Sequence, residues 1–120
     1  MSLPMIQFKA TNTDLEMSLQ DLVETKFQSL DKFIGDETDV RIEVEFVKET
    51  AHQSGKHFRV NSNLHLHGHL YRAEATELSF EEAVDEVRAE LDKELRRANK
   101  KRETMVKRGG RALKRMMRRN

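Results

Sequence analysis

Phe80, Val84, Val87, Leu91, Leu95 and Ala98 recur at spacings of 4, 3, 4, 4 and 3. Only an α-helix brings residues at that period onto one face. The stripe spans about five turns, and so long an apolar face must lie on another apolar surface to be stable. Ser79 and Glu82 precede it at the spacing of a capping box, which fixes its start. The rest of the chain must therefore supply a surface for this helix.

Three further segments alternate at period two. Ile6 and Phe8 alternate with Gln7 and Lys9, giving a strand over Met5 to Ala10. Val40, Ile42, Val44 and Phe46 alternate with Arg41, Glu43 and Glu45. Phe58, Val60, Ser62, Leu64 and Leu66 alternate again, Gly68 interrupts, and Leu70 to Thr76 resumes. That last pattern predicts a hairpin about His67-Gly68. Between the first two strands, Leu15, Leu19, Leu22, Val23, Phe27, Leu30, Phe33 and Ile34 follow the helical period. Thr13 and Glu16 have capping-box spacing before them, and Gly35 closes them in the usual C-terminal role. The order is β-α-β-β-β-α. Four strands with one wet face and two amphipathic helices predict an α+β two-layer sandwich, a four-stranded sheet with both helices on one face.

Charge is distributed very unevenly. The chain has 22 Lys and Arg against 21 Asp and Glu. From Arg96 to Asn120 there are 12 basic residues and one acid, Glu103, a local charge of +11. Residues 1–95 consequently sum to −10. A block of one sign attracts polyanions, and nucleic acid is the usual one. A solvated, solubilising tail needs no such segregation. Past Ala98 the apolar period fades and Gly109-Gly110 follows, so residues 103–120 are expected to be a basic tail, disordered when free. Residues 1–4 read as a cloning remnant ahead of a native start at Met5. The folded domain is then 5–102.

The remaining chemistry is sparse. There is no Cys, which excludes disulfides and thiolate metal sites and agrees with a cytoplasmic setting. No apolar run approaches the 18 or so residues of a membrane span. There is no glycine-rich phosphate loop, no Gly-x-Ser-x-Gly elbow and no cysteine nucleophile, so no enzyme and no cofactor are expected. His65, His67 and His69 have strand spacing suited to a metal on one face. A turn at Gly68 would separate them, and they are read as surface histidines, with no metal site expected. Met105, Val106, Leu113, Met116 and Met117 could form a basic amphipathic stretch, but the two glycines interrupt it. Aromatics are six Phe and one Tyr, mostly on core stripes. RNA contact should therefore be to phosphate and shape rather than to stacked bases.

The segment Leu22-Val23-Glu24-Thr25-Lys26-Phe27-Gln28-Ser29-Leu30-Asp31-Lys32-Phe33 resembles the first helix of the ribosome hibernation promoting factors. That family includes protein Y, the ribosome-associated inhibitor, and was formerly described as sigma-54 modulation protein. Phe58-Arg59-Val60, Leu64-His65-Leu66-His67-Gly68 and Arg72-Ala73-Glu74-Ala75-Thr76 resemble its third and fourth strands. Phe80-Glu81-Glu82-Ala83-Val84-Asp85 and Leu91-Asp92-Lys93-Glu94-Leu95 resemble its second helix. The resemblance covers about residues 5–102, in the short form that lacks a second, dimerising domain. Two departures stand out. Leu78-Ser79-Phe80 occupies the place of a usual Asp-Met-Tyr, and Glu90 that of a frequent Lys.

The resemblance implies a fold like the double-stranded RNA-binding domain. It implies binding to the small ribosomal subunit, in the channel of mRNA and tRNA, and a silenced ribosome. It places rRNA contacts on Lys26, Lys32, Lys93, Arg97, Lys100 and Lys101. The basic block adds Arg96, Arg102, Lys107 and Arg108. The protein is expected to be monomeric off the ribosome. The competing reading is a non-ribosomal RNA-binding module or a regulatory interaction protein.

Overall fold

A computed structural model describes residues 4–50 and 55–118, with side chains described as far as Thr104. The expected remnant at residues 1–4 lies outside the described residues except for Pro4, as does Ser54 of the loop before the third strand. In chain order the elements are β1 (Ile6–Thr11), α1 (Met17–Phe27), a 3-10 turn (Gln28–Leu30), α2 (Asp31–Ile34), β2 (Arg41–Lys48), β3 (Phe58–Leu66), β4 (His69–Glu77) and α3 (Phe80–Arg118). The strands form one mixed sheet in the order β1-β2-β3-β4. β1 is parallel to β2, and the other neighbours are antiparallel. This is the α+β sandwich expected from the periodicities.

Register explains the two faces. Ile6, Ile42, Leu64 and Tyr71 stand in one row, Phe8, Val44, Ser62 and Ala73 in the next, and Ala10, Phe46, Val60 and Ala75 in a third. These rows carry the buried side chains, and the helices cover them. Phe80, Ala83, Val84, Val87, Leu91 and Leu95 of α3 are all buried against this face. Phe80 meets Phe46 and Phe58 edge-on, at centroid distances of 5.3 and 4.9 Å. Each large apolar side chain buried this way contributes about 1.5–3 kcal/mol. The β3–β4 turn places His67 at φ 55° and Gly68 at φ 75°. Two left-handed residues in a two-residue loop give the turn whose twist matches the strands it joins.

The two expected capping boxes fare differently. Before α3, the Glu82 amide donates to the Ser79 hydroxyl at 3.2 Å. Before α1 there is no side-chain cap; Glu16 is the extended flanking residue, and Leu15 is exposed. Asn12 adopts φ 60°, and the chain uses residues 12–16 to cross from the sheet to the helical layer. Thr13 therefore never reaches the helix start.

The helix expected to run unbroken to Gly35 is also divided. The Ser29 hydroxyl donates to the Lys26 carbonyl at 3.1 Å, a local bond that competes with the helical ladder. The path tightens into the 3-10 turn there and resumes as α2. A larger difference lies at the C-terminus. The fading period predicts an end near Arg102 with 103–120 disordered, yet the backbone is helical to Arg118. Extending an existing helix avoids the cost of nucleation. The segment holds no Pro and is rich in Lys, Arg and Met, good helix formers that offset about 1 kcal/mol for each of Gly109 and Gly110.

The caps give a paired expectation for stability. Ser79→Ala should cost about 1 kcal/mol and lower the melting temperature by roughly 4 °C. Thr13→Ala should stay within about 0.5 kcal/mol of the parent. Equal losses in thermal unfolding would contradict the assignment of the caps.

Candidate nucleic-acid interface

Two cross-contacts fix how the helices lie together. Lys26 of α1 meets Asp85 of α3 at 3.1 Å. Seven residues on, the Phe33 ring of α2 receives the Arg96 guanidinium at 5.6 Å from its centroid. Both paths advance in the same direction, so α1–α2 and α3 run side by side, and α2 ends beside the middle of α3, which continues to Arg118. Lys32 and the start of the basic block at Arg96 therefore come together at this end of the core.

The expected contact residues divide by environment. Lys32 is exposed beside Phe33, its ammonium 5.3 Å from the ring centroid. Lys93, Arg96, Arg97, Lys100 and Lys101 are exposed on α3, and Arg102 is half-buried. Arg96 pairs with Asp92 at 3.3 Å and Arg97 with Glu94 at 3.2 Å. Lys26 is engaged by Asp85 and lies more than a turn from the others. Among the described residues, Lys32, Lys93, Lys100, Lys101 and Arg102 have no carboxylate within ion-pair distance. The backbone of Lys107 and Arg108 continues α3, and their side chains lie outside those described. Sequence reasoning missed the seating of Arg96 on Phe33. The only local signal was a second aromatic, Phe33, near the end of the apolar stripe that also holds Phe27.

The first half of α3 has the opposite sign, with Glu81, Glu82, Asp85, Glu86 and Glu90. Glu86 and Glu77, at the end of β4, are neighbouring carboxylates that favour sharing one proton, which raises the Glu86 pKa and lowers that of Glu77. Glu90 adjoins Lys93 and Glu94 and adds a carboxylate near the basic end.

Cations on the other face of the sheet are largely neutralised. Glu45 accepts from the Thr11 hydroxyl at 2.7 Å and from the Asn61 amide at 3.3 Å, with Lys9 at 3.8 Å. Arg59 meets Glu49 at 2.9 Å and Glu74 at 3.5 Å. His65 and Arg41 share Glu43. His67 turns instead to Glu37 at 3.4 Å, and His69 neighbours Tyr71. The three histidines thus have separate partners. Among the described residues no cluster is arranged to hold a metal ion, and no helix is long and apolar enough to cross a membrane.

Residues 6–103 match the family model described as "Sigma 54 modulation protein / S30EA ribosomal protein". The chain belongs to this family. It is the family of hibernation promoting factors, whose members are ribosome-associated factors and not enzymes. Many solved structures are similar, and two of them illustrate the likeness. One is the N-terminal domain of Thermus thermophilus protein Y, with 22% identity and a TM-score of 0.62, covering 76% of this chain and 93% of that one. The other is a ribosomal subunit interface protein from Coxiella burnetii, with 20% identity and a TM-score of 0.64, covering 78% and 96%. At those identities the two structures speak for the fold. No curated protein sequence matches the chain significantly.

The Glu45 cluster makes a pH prediction. The Thr11 hydrogen bond is the largest influence holding the Glu45 pKa below its ordinary 4.5, with Asn61, Lys9 and Arg59 acting in the same direction. A depressed carboxylate contributes stability above its unfolded pKa and loses it as pH falls through the folded value. Thr11→Val should therefore cost about 1 kcal/mol or less at pH 7. The deficit in urea unfolding should shrink as the pH drops below 4.5. A deficit equally large in acid would show that Glu45 plays no part.

Proposed function

We propose that this protein is a ribosome hibernation factor of the cytoplasm. It binds the small ribosomal subunit in the channel for mRNA and tRNA, one copy per subunit, and silences translation without chemistry. The observation that carries the reading is the set of cations that have no carboxylate partner among the described residues, gathered where α2 ends beside the middle of α3, in a chain of this family. Lys32, Lys93, Lys100, Lys101 and Arg102 form its centre. Arg96 and Arg97 flank it, and Lys107 and Arg108 extend it along α3. Lys26 is a peripheral contact that must exchange Asp85 for a phosphate. The basic extension 103–120 lies along rRNA when bound.

Phosphate contact implies salt sensitivity. With about six phosphates neutralised, affinity for small subunits should fall roughly a thousandfold between 50 and 200 mM salt. A flat binding isotherm series would exclude this mode.

Arg97, Lys100 and Lys101 stand at i, i+3 and i+4 and share one exposed side of α3. Changing all three to Glu should leave far-UV dichroism and melting nearly unaltered. It should abolish co-sedimentation with small subunits and relieve inhibition of cell-free translation. The same reversal at Lys9, Lys48 and Lys56, away from the helix ends, should do far less. Equal effects of the two triple variants would reduce the interface to net charge. Retained binding by the helix variant at about 150 mM salt, where charges beyond roughly 8 Å are screened, would remove α3 from it. Free duplex RNA as competitor separates ribosome binding from general RNA binding.

A further inference from the structure

β4 is an edge strand, and its register makes it complementary to itself. The Glu49 amide donates to the His57 carbonyl at 2.8 Å, which sets the ladder phase between β2 and β3. Odd-numbered residues of β3 then bond to β2, and even-numbered ones bond to β4. Through the pairs Leu66–His69, Leu64–Tyr71, Ser62–Ala73 and Val60–Ala75, the odd residues of β4 are the ones bonded to β3. The amides and carbonyls of Leu70, Arg72, Glu74 and Thr76 therefore point away from the sheet. Among the described residues they have no backbone partner. Leu70 is 48% exposed, and Arg72 and Glu74 are exposed.

A second copy of this strand, related by a two-fold axis at Ala73, meets every requirement of an antiparallel ladder. Arg72 falls opposite the other copy's Glu74, Leu70 opposite its Thr76, and Tyr71 opposite its Ala75. A shift of two residues one way sets Arg72 against Arg72, and the other way Glu74 against Glu74. A shift of one misaligns the hydrogen-bonding groups. Only the register centred on Ala73 thus pairs opposite charges across the axis. The adjoining flank of α3 repeats the pattern. Asp85 and Arg96 face α1 and α2, and the apolar stripe faces the sheet, so the opposite flank of α3, with Glu86, lies on the β4 side. Glu82, Glu86, Glu90, Lys93, Arg97 and Lys100 follow it at spacings of four and three. Returning along α3 from β4, the level of Ala73 falls near Glu90, at about 1.5 Å per helical and 3.3 Å per strand residue. An antiparallel copy would place the acidic half of one flank beside the basic half of the other.

We propose that two copies of this protein associate through β4, edge to edge and antiparallel, in the register centred on Ala73. This replaces the monomer expected from sequence. Taken with the proposed function, the paired form covers Lys93, Arg97 and Lys100 and is the ribosome-free form. The pairing itself does not depend on that function.

Analytical ultracentrifugation of the full chain at low salt, up to several hundred micromolar, tests it. A reversible monomer–dimer equilibrium is expected. Arg72→Glu or Glu74→Arg alone should each weaken it by roughly tenfold, since each sets like charges opposite one another twice per dimer. Combining both changes in one chain should restore it. Glu74→Pro removes an amide that faces away from β3 and should abolish pairing while leaving thermal unfolding nearly intact. A protein monomeric at every concentration overturns the proposal. So does association that survives Glu74→Pro, or single reversals that the combined variant fails to rescue. Small-subunit binding measured at nanomolar protein, where the chain is monomeric, reports on the functional reading separately.

Discussion

Burial of the α3 stripe on the inner face of β3 and β4 is the constraint from which the other features follow. Phe80 is held between Phe46 and Phe58, and the Ser79 cap starts the helix immediately before it. With its start pinned and its apolar side committed as far as Leu95, α3 has one direction available. Its 39 residues span about 58 Å, roughly twice the length of the nine-residue strands beneath it. The basic block follows the last buried residue and is carried past the edge of the core. Position of charge is thus a consequence of packing. Anything that rotated the stripe would turn the cations away with it.

Neutralisation then decides which cations remain available. Arg41, Arg59 and Lys9 were as visible in the sequence as Lys100, but each lies within ion-pair distance of a carboxylate on the sheet or just past its end. Arg96 and Arg97 have carboxylates too, one turn back on their own helix. Such exposed pairs are worth only about 0.3–0.5 kcal/mol and are readily exchanged for a phosphate. Arg96 keeps its orientation through the Phe33 ring even when Asp92 lets go. The same carboxylates that steady the free helix are therefore weak competitors for its cations.

Elements whose signal is local were legible in the sequence. The four strands, the turn at His67-Gly68, the Ser79 cap and the buried side of α3 each follow from residue type and spacing over a few positions. The division at Gln28–Leu30 was not, because it arises from the Ser29 hydroxyl choosing a nearby carbonyl, which the apolar period cannot report. Thr13 and Glu16 have the right spacing for a cap, but the crossing from β1 claims those residues first. The end of α3 was misjudged for a related reason. Apolar period tells where a helix packs, whereas propensity and an existing nucleus tell how far it continues. At the candidate interface, the basic block and the two lysines of the first helical run could be named from sequence. That Lys26 is tied to Asp85 and Arg96 seated on Phe33 could not, since both contacts join segments more than fifty residues apart.

The sign change along α3 also restricts how a polyanion can approach. Residues 80–90 hold Glu81, Glu82, Asp85, Glu86 and Glu90 against a single Arg88. A duplex laid along the whole helix would bring its phosphates against these acids. The outward side of the sheet offers no alternative, for its rows hold Gln7, Glu43, Asn63 and Arg72, then Lys9, Glu45, Asn61 and Glu74, with no aromatic on which a base could stack. What remains is an approach to one end of the molecule, where Lys32 and the C-terminal half of α3 meet. Phosphates that come to that end meet cations without meeting the acids of residues 80–90.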